Sequence, residues 1–112
     1  MTPTSSDESR GPLTGVRVVD LTTTFMGPYC TAQMARMGAD VIKVEEPTGD
    51  VTRGINDRHR TGLGPIFIAG NHGKRSIALD LKDPRGRDAL LALVKQADVL
   101  VHNMRPQAVA KL

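Results

Sequence analysis

The sequence predicts an α/β layer architecture in which helices flank a partial parallel sheet, and three observations carry that reading. Four short apolar runs alternate with helical stretches along the chain. The first two runs are separated by a single helical segment, the pattern of a βαβ unit whose crossover is right-handed. The chain has 112 residues, enough for one small domain, and four short strands make only half of a doubly wound sheet.

Each element follows from local chemistry. Residues 1–11 carry Thr, Ser, Asp and Glu where a secretory signal would need a basic patch and an apolar run, so they are expected to form a disordered tail. Residues 15–20, Gly-Val-Arg-Val-Val-Asp, read as a buried strand bounded by Gly15 and a threonine cluster. Pro28, favoured at the first turn of a helix, opens a segment that runs to Met37, and Gly38 closes it as a C-terminal cap. Residues 39–46 supply a second strand through Val41, Ile42 and Val44. Residues 47–65 are rich in glycine and charge with no apolar period, which predicts a long irregular excursion. Loops of that length are commonly functional or disordered.

Residues 76–81 alternate, placing Ile77, Leu79 and Leu81 on one strand face. Asp83 and Pro84 form an N-cap and first-turn pair, and Leu90, Leu93, Val94 and Ala97 follow at helical spacing. Residues 98–101 give a fourth strand, and a last short helix starts at Asn103-Met104-Arg105-Pro106. Aromatic residues are only 3% of the chain, so the core is built from small aliphatic side chains. The 15 basic residues exceed the 12 acidic ones by three and form no run, which argues against a nucleic-acid partner. No apolar stretch approaches the roughly 20 residues of a membrane span. The lone cysteine, Cys30, cannot form an internal disulfide, so a reduced cytoplasm is the expected location.

Candidate chemistry is sparse when residues are taken singly. Gly70-Asn71-His72-Gly73-Lys74-Arg75-Ser76 has the composition of a phosphate loop but not its spacing: two residues separate the glycines and Arg75 intervenes between Lys74 and Ser76. It reads instead as a basic turn able to touch phosphate. A dinucleotide fold would place its ribose-binding acid near Glu45 and Glu46, but the loop after the first strand holds Thr22 to Met26 and a lone Gly27, without the glycine fingerprint. Cys30 reads as a small buried hydrophobe, with a helix-start nucleophile as the alternative. His59, His72 and His102 lack ligand spacing, so no metal is expected. Asp20 and Asp80 fit turn-capping or salt-bridge roles better than general-base roles. Lys82, Arg85, Arg87, Arg105 and Lys111 fall near strand carboxyl ends, where open α/β sheets bind ligands. They suit either a multiply phosphorylated ligand or a solvated surface.

Taken together, the motifs are more specific than the pieces. The string from Pro12 to Thr22, then Gly27-Pro28, then Gly38 to Glu45, then Gly49-Asp50 with Arg53, resembles the class III CoA-transferases of CaiB/BaiF type. That family includes formyl-CoA transferase, the carnitine CoA-transferases and α-methylacyl-CoA racemase. Asn71 to Lys82 is similar to the family's N-x-x-K-R-S-I-x-L-D-L-K, and Ala97 to Pro106 to its A-D-V-x-x-E-N-F-R-P.

The resemblance implies a Rossmann-like large domain in an interlocked homodimer that binds coenzyme A along the strand carboxyl ends and acts on acyl-CoA and carboxylic acids. Carried over by position, Thr24, Phe25 and Met26 approach the thioester end. Leu79 and Lys82 line the CoA nucleotide, with Asn103, Met104 and Arg105 in the adjoining loop. Lys111 stands where some members have arginine, keeping the charge but losing the guanidinium fork. Phe25 replaces the glutamine of formyl-CoA transferase and Glu46 replaces a CoA-contacting arginine, while His102 and Met104 stand for the common Glu and Phe. The family's catalytic aspartate, and the acid/base pair of the racemase branch, fall downstream of these motifs, so no catalytic residue is assigned here. Residues 12–112 therefore resemble the N-terminal CoA-binding portion of such an enzyme, as a fragment of a transferase, a fragment of a racemase, or a stand-alone CoA-binding module.

Overall fold

A computed structural model describes residues 11–112; the tail expected over residues 1–11 lies, but for Gly11, outside the described residues. The βαβ reading holds. Strand β1 (Arg17–Asp20), helix α1 (Met26–Arg36) and strand β2 (Asp40–Glu45) come first. A 3₁₀ turn (Val51–Arg53) and helix α2 (Pro65–Asn71) precede strand β3 (Arg75–Ala78). Helix α3 (Pro84–Lys95), strand β4 (Val99–Val101) and helix α4 (Pro106–Val109) complete the chain.

The four strands form one sheet in the order β3-β2-β1-β4, with every neighbour parallel. Val18 pairs in register with Val41 on one side and Val99 on the other. Successive strand residues face opposite ways, and here both faces are covered. Val18 and Val41 pack with Ala39, Met34 and Ala35 on the α1 face. Val19 and Val44 pack with Leu21 and Leu90 on the other face, where Leu93, Val94 and Ala97 of α3 complete the helical stripe read from the sequence. Val18 and Val19 are fully buried, each contributing about 1.5–3 kcal/mol of apolar transfer.

Local signals set the element ends. Gly38 takes φ of 100° just after α1, a left-handed turn that a side chain would strain. Asp83 caps α3 by accepting the Arg85 amide at 2.9 Å, with Pro84 in the first turn. Helix α1 begins two residues ahead of Pro28, which remains in the first turn where its missing N–H costs nothing.

Three expectations are corrected. The excursion after Glu46 is not wholly irregular, because the 3₁₀ turn forms within it and α2 starts at its end. Strand β3 stops at Ala78, so Ile77, Leu79 and Leu81 do not share a strand face. Ile77 sits on the exposed sheet edge, while Leu79 and Leu81 turn in against the α3-side core as Asp80 accepts the Lys82 amide at 3.0 Å. Cys30 is exposed rather than buried, because α1 turns Thr31 and Ala32 toward the sheet and leaves position 30 outside. No helix among the described residues is long and apolar enough to cross a membrane.

Candidate functional site

The strand order places a topological switch point between β1 and β4. The chain leaves β1 toward β2 and β3 on one side, then crosses back to lay β4 on the other. Loops leaving the carboxyl ends of β1 and β4 therefore diverge, and open α/β sheets bind ligands in the crevice so formed. A cleft of about 730 Å³ lies there, lined by Leu21 and Thr23 after β1, Glu45 and Glu46 at the end of β2, and Asn103 and Met104 after β4. The turn at Gly49–Arg53 and Leu81 also line it. Asn103 ties two of these walls together, accepting the Thr23 amide at 3.2 Å and donating to the Thr23 carbonyl at 2.9 Å.

Beneath the cleft lies a set of buried ion pairs that reasoning from sequence did not single out. Lys43 projects from a strand buried on both faces, with its side chain 1% exposed, and meets the Asp50 carboxylate at 2.9 Å. Its ammonium also donates to the Thr22 carbonyl at 3.0 Å. The other Asp50 oxygen accepts the Thr52 amide and hydroxyl at 2.9 and 2.7 Å, starting the 3₁₀ turn. Burial alone would raise the Asp50 carboxyl, yet the Thr52 and Lys43 contacts hold it below the usual range.

Glu45, two residues along β2 from Lys43, faces Arg53 in a two-pronged pair with both contacts at 2.7 Å. It also accepts the Asp50 amide at 2.9 Å and the Ser76 hydroxyl. Burial pulls the Glu45 carboxyl up, but these donors and the Arg53 charge bring it down to about 2. The guanidinium stacks 3.8 Å above the Phe67 ring, docking α2 onto the turn.

A third pair braces the far side. Asp20, fully buried at the end of β1, accepts Lys74 at 2.9 Å, the Thr31 hydroxyl at 2.6 Å, and the Thr22 amide and hydroxyl. Asp20 thus takes the salt-bridge role the sequence favoured. Lys74 is corrected: its amine is spent on Asp20, the Pro28 carbonyl and Asn71, so it is not an open phosphate contact. Burial lowers the Lys74 amine, with Asp20 opposing. One signal for these pairs was readable: Lys43 and Glu45 alternate with Ile42 and Val44 in the run that reads as a buried strand, and a buried charge requires a partner.

The loop between β1 and α1 is strained. Thr24, a β-branched residue, sits at φ of 78°, a conformation that costs about 1–3 kcal/mol and persists only where its surroundings dictate it. Gly27 permits the tight turn, since a Cβ there would overlap the Thr22 side chain.

A family model for CoA-transferase family III matches residues 13–112. The chain belongs to CoA-transferase family III. It is 45% identical over 105 residues to the succinyl-CoA:mesaconate CoA-transferase of Haloarcula hispanica, covering 90% of this chain and 26% of that protein. It is 50% identical over 95 residues to the formyl-CoA:oxalate CoA-transferase of Afipia carboxidovorans, covering 84% of this chain and 22% of the relative. The crystal structure of a CaiB/BaiF family protein from Brucella suis superposes with a TM-score of 0.85 at 37% identity, over 92% of this chain and 28% of that one. The chain thus spans about a quarter of the length of the relatives it matches.

Within this family III chain, the residues the resemblance singled out fall into three places. Asn103 and Met104 line the cleft. Thr24, Phe25 and Met26 are exposed on the strained loop that follows Thr23. Leu79 borders a second depression of about 310 Å³ with Asp80, Asp83 and Arg85, beside the exposed Lys82. Arg105 and Lys111 are exposed on either side of α4, and the Lys111 carbonyl accepts Arg87 at 3.2 Å. Among the described residues neither Lys82 nor Arg105 forms a salt bridge, whereas Arg85 is paired with Asp83 at 2.9 Å. Among those residues, too, no group of His, Cys, Asp and Glu is assembled for a metal.

Proposed function

We propose that the chain is the N-terminal, CoA-binding portion of a transferase that moves coenzyme A between an acyl-CoA and a carboxylic acid. The observation that carries this reading is the cleft at the β1/β4 switch point, bordered by Asn103 and Met104 and by Thr23, from which the loop of Thr24, Phe25 and Met26 leads on. Lys82, Arg105 and Lys111 serve the phosphates, since they are exposed and, among the described residues, have no carboxylate partner, which suits them to charge-assisted contacts. Leu79 packs against the nucleotide, and Asn103 and Met104 border the pantetheine arm.

The covalent chemistry belongs to an aspartate outside these residues. That carboxylate attacks the thioester carbonyl, expels the CoA thiolate and forms a mixed anhydride; the thiolate then attacks the aspartyl carbonyl, releases the first acid and leaves an aspartyl thioester. Asp20, Asp50 and Glu45 do not fill this role, because each is buried and committed to a cation. Nor does Asp80, whose carboxylate caps its own turn. The whole enzyme is assigned the interlocked homodimeric form, and the unpaired outer edge of β4, where Leu100 is exposed, offers a place for further chain to add.

Calorimetric titration of CoA into the chain and its Lys82→Ala and Arg105→Ala variants tests the reading. Each loss of a phosphate contact is expected to weaken binding by about tenfold or more. Unchanged affinity in both variants would overturn the site.

A further inference from the structure

We infer that Lys43 is a positioning residue: through the Thr22 carbonyl it imposes the left-handed conformation of Thr24 and so pre-shapes the loop that borders the CoA cleft. The inference rests on the reading of that cleft as a CoA site, and it concerns a residue at the floor of the cleft whose side chain is almost wholly buried, Lys43 being 1% and its partner Asp50 0% exposed.

The argument follows the polar groups of one short stretch of backbone. The Thr22 amide and hydroxyl are held by Asp20. Its carbonyl is held by Lys43. The Thr23 amide and carbonyl are both held by Asn103. The next residue, Thr24, bears the φ of 78°. With every main-chain polar group of Thr22 and Thr23 engaged, the chain reaches Thr24 in a set direction before it turns into α1. Of these anchors, Lys43 alone couples the loop to the opposite wall of the cleft, because its ammonium also meets Asp50 at the head of the Gly49–Arg53 turn. The Lys43 ammonium thus links these two walls directly. A loop strained before binding has no ordering cost left to meet when the ligand arrives.

A buried cation that served only to hold the fold together would be replaceable by an apolar group of similar length once its counter-charge was neutralised. The test therefore uses the double variant Lys43→Met with Asp50→Asn, which leaves no unpaired charge and keeps the oxygen that caps Thr52. Two readouts are taken on the chain: the Thr24 backbone conformation, from its amide-to-Hα coupling and carbon shifts by NMR, and CoA affinity by calorimetry. The wild-type chain is expected to show Thr24 left-handed. The double variant is expected to stay folded by circular dichroism, to lose the left-handed signature, and to bind CoA about tenfold more weakly.

An extended Thr24 in the wild type would overturn the inference whatever the variant does. So would a double variant that keeps Thr24 left-handed, or one that relaxes Thr24 yet binds CoA as the wild type does. A double variant that fails to fold assigns the pair to the fold as a whole and also overturns it. If the wild-type chain shows no CoA binding, the cleft's assignment fails, while the NMR readout still decides whether Lys43 sets Thr24.

Discussion

Replacing Arg53 with methionine removes the cation that faces a buried carboxylate, and the size of the effect can be worked from the site. Glu45 is brought from 4.5 to about 2 against the opposing pull of burial. At about 1.4 kcal/mol per unit, that displacement corresponds to roughly 3 kcal/mol of folded-state stability. Without Arg53, the Ser76 hydroxyl and Asp50 amide remain as donors, and the uncompensated charge is expected to cost about 3 kcal/mol at neutral pH. For a domain with about 5–15 kcal/mol in all, this is a large fraction. The pH dependence carries the sign. Because the folded value lies below the unfolded one, the stabilisation is complete above pH of about 4.5 and drains away as pH falls toward about 2. Urea unfolding followed by circular dichroism, at neutral pH and at steps through that window, measures both effects. The Arg53→Met chain should start lower and show a flat or reversed slope where the wild type falls. A loss below about 1 kcal/mol, the range of exposed pairs, or matching slopes in the two chains would refute the reasoning.

Further outcomes follow from single contacts. Lys74→Met leaves the fully buried Asp20 carboxylate with hydroxyl and amide donors alone, so unfolding free energy should drop by about 3–5 kcal/mol, and a near-neutral change by urea titration would contradict the buried-pair argument. Gly86→Ala drives a methyl group into the Asp80 carbonyl oxygen at the α3 entry; the melting temperature should fall by several degrees, and an unchanged value would mean that the Asp80 turn moves freely. Cys30 should react stoichiometrically with a thiol reagent in native buffer, since it is exposed on α1. Reaction only after unfolding would show that face to be covered.

Much of this architecture was legible because it rests on local rules. The strands around Val18 and Val41, the Pro84-capped helix with its Leu90, Leu93, Val94 and Ala97 stripe, and the left-handed Gly38 each follow from periodicity or one residue's backbone preference. The short helix from Pro65 has too weak a pattern to read from sequence: Phe67 and Asn71 are buried, but Ile68 on the same short segment is half exposed. Periodicity overstates strand β3, because the alternation continues past Ala78 where the chain has already turned.

The site divides along the same line. Sequence motifs alone determined the family, the parallel order implied by strand–helix–strand alternation, and the position of the Asn103 loop at a strand carboxyl end. Only the tertiary structure decided which charges meet. Lys43 finds Asp50, Glu45 finds Arg53, and Asp20 finds Lys74 across 54 positions of chain. A charge pair depends on where two backbones pass each other in space, and no local spacing encodes that. The same holds for Thr24, whose strained conformation contradicts its own preference and exists because Asp20, Lys43 and Asn103 hold the two residues before it. Local rules set the elements; the low dielectric between them, which makes an unpartnered charge too costly to keep, selects the pairs that shape the cleft.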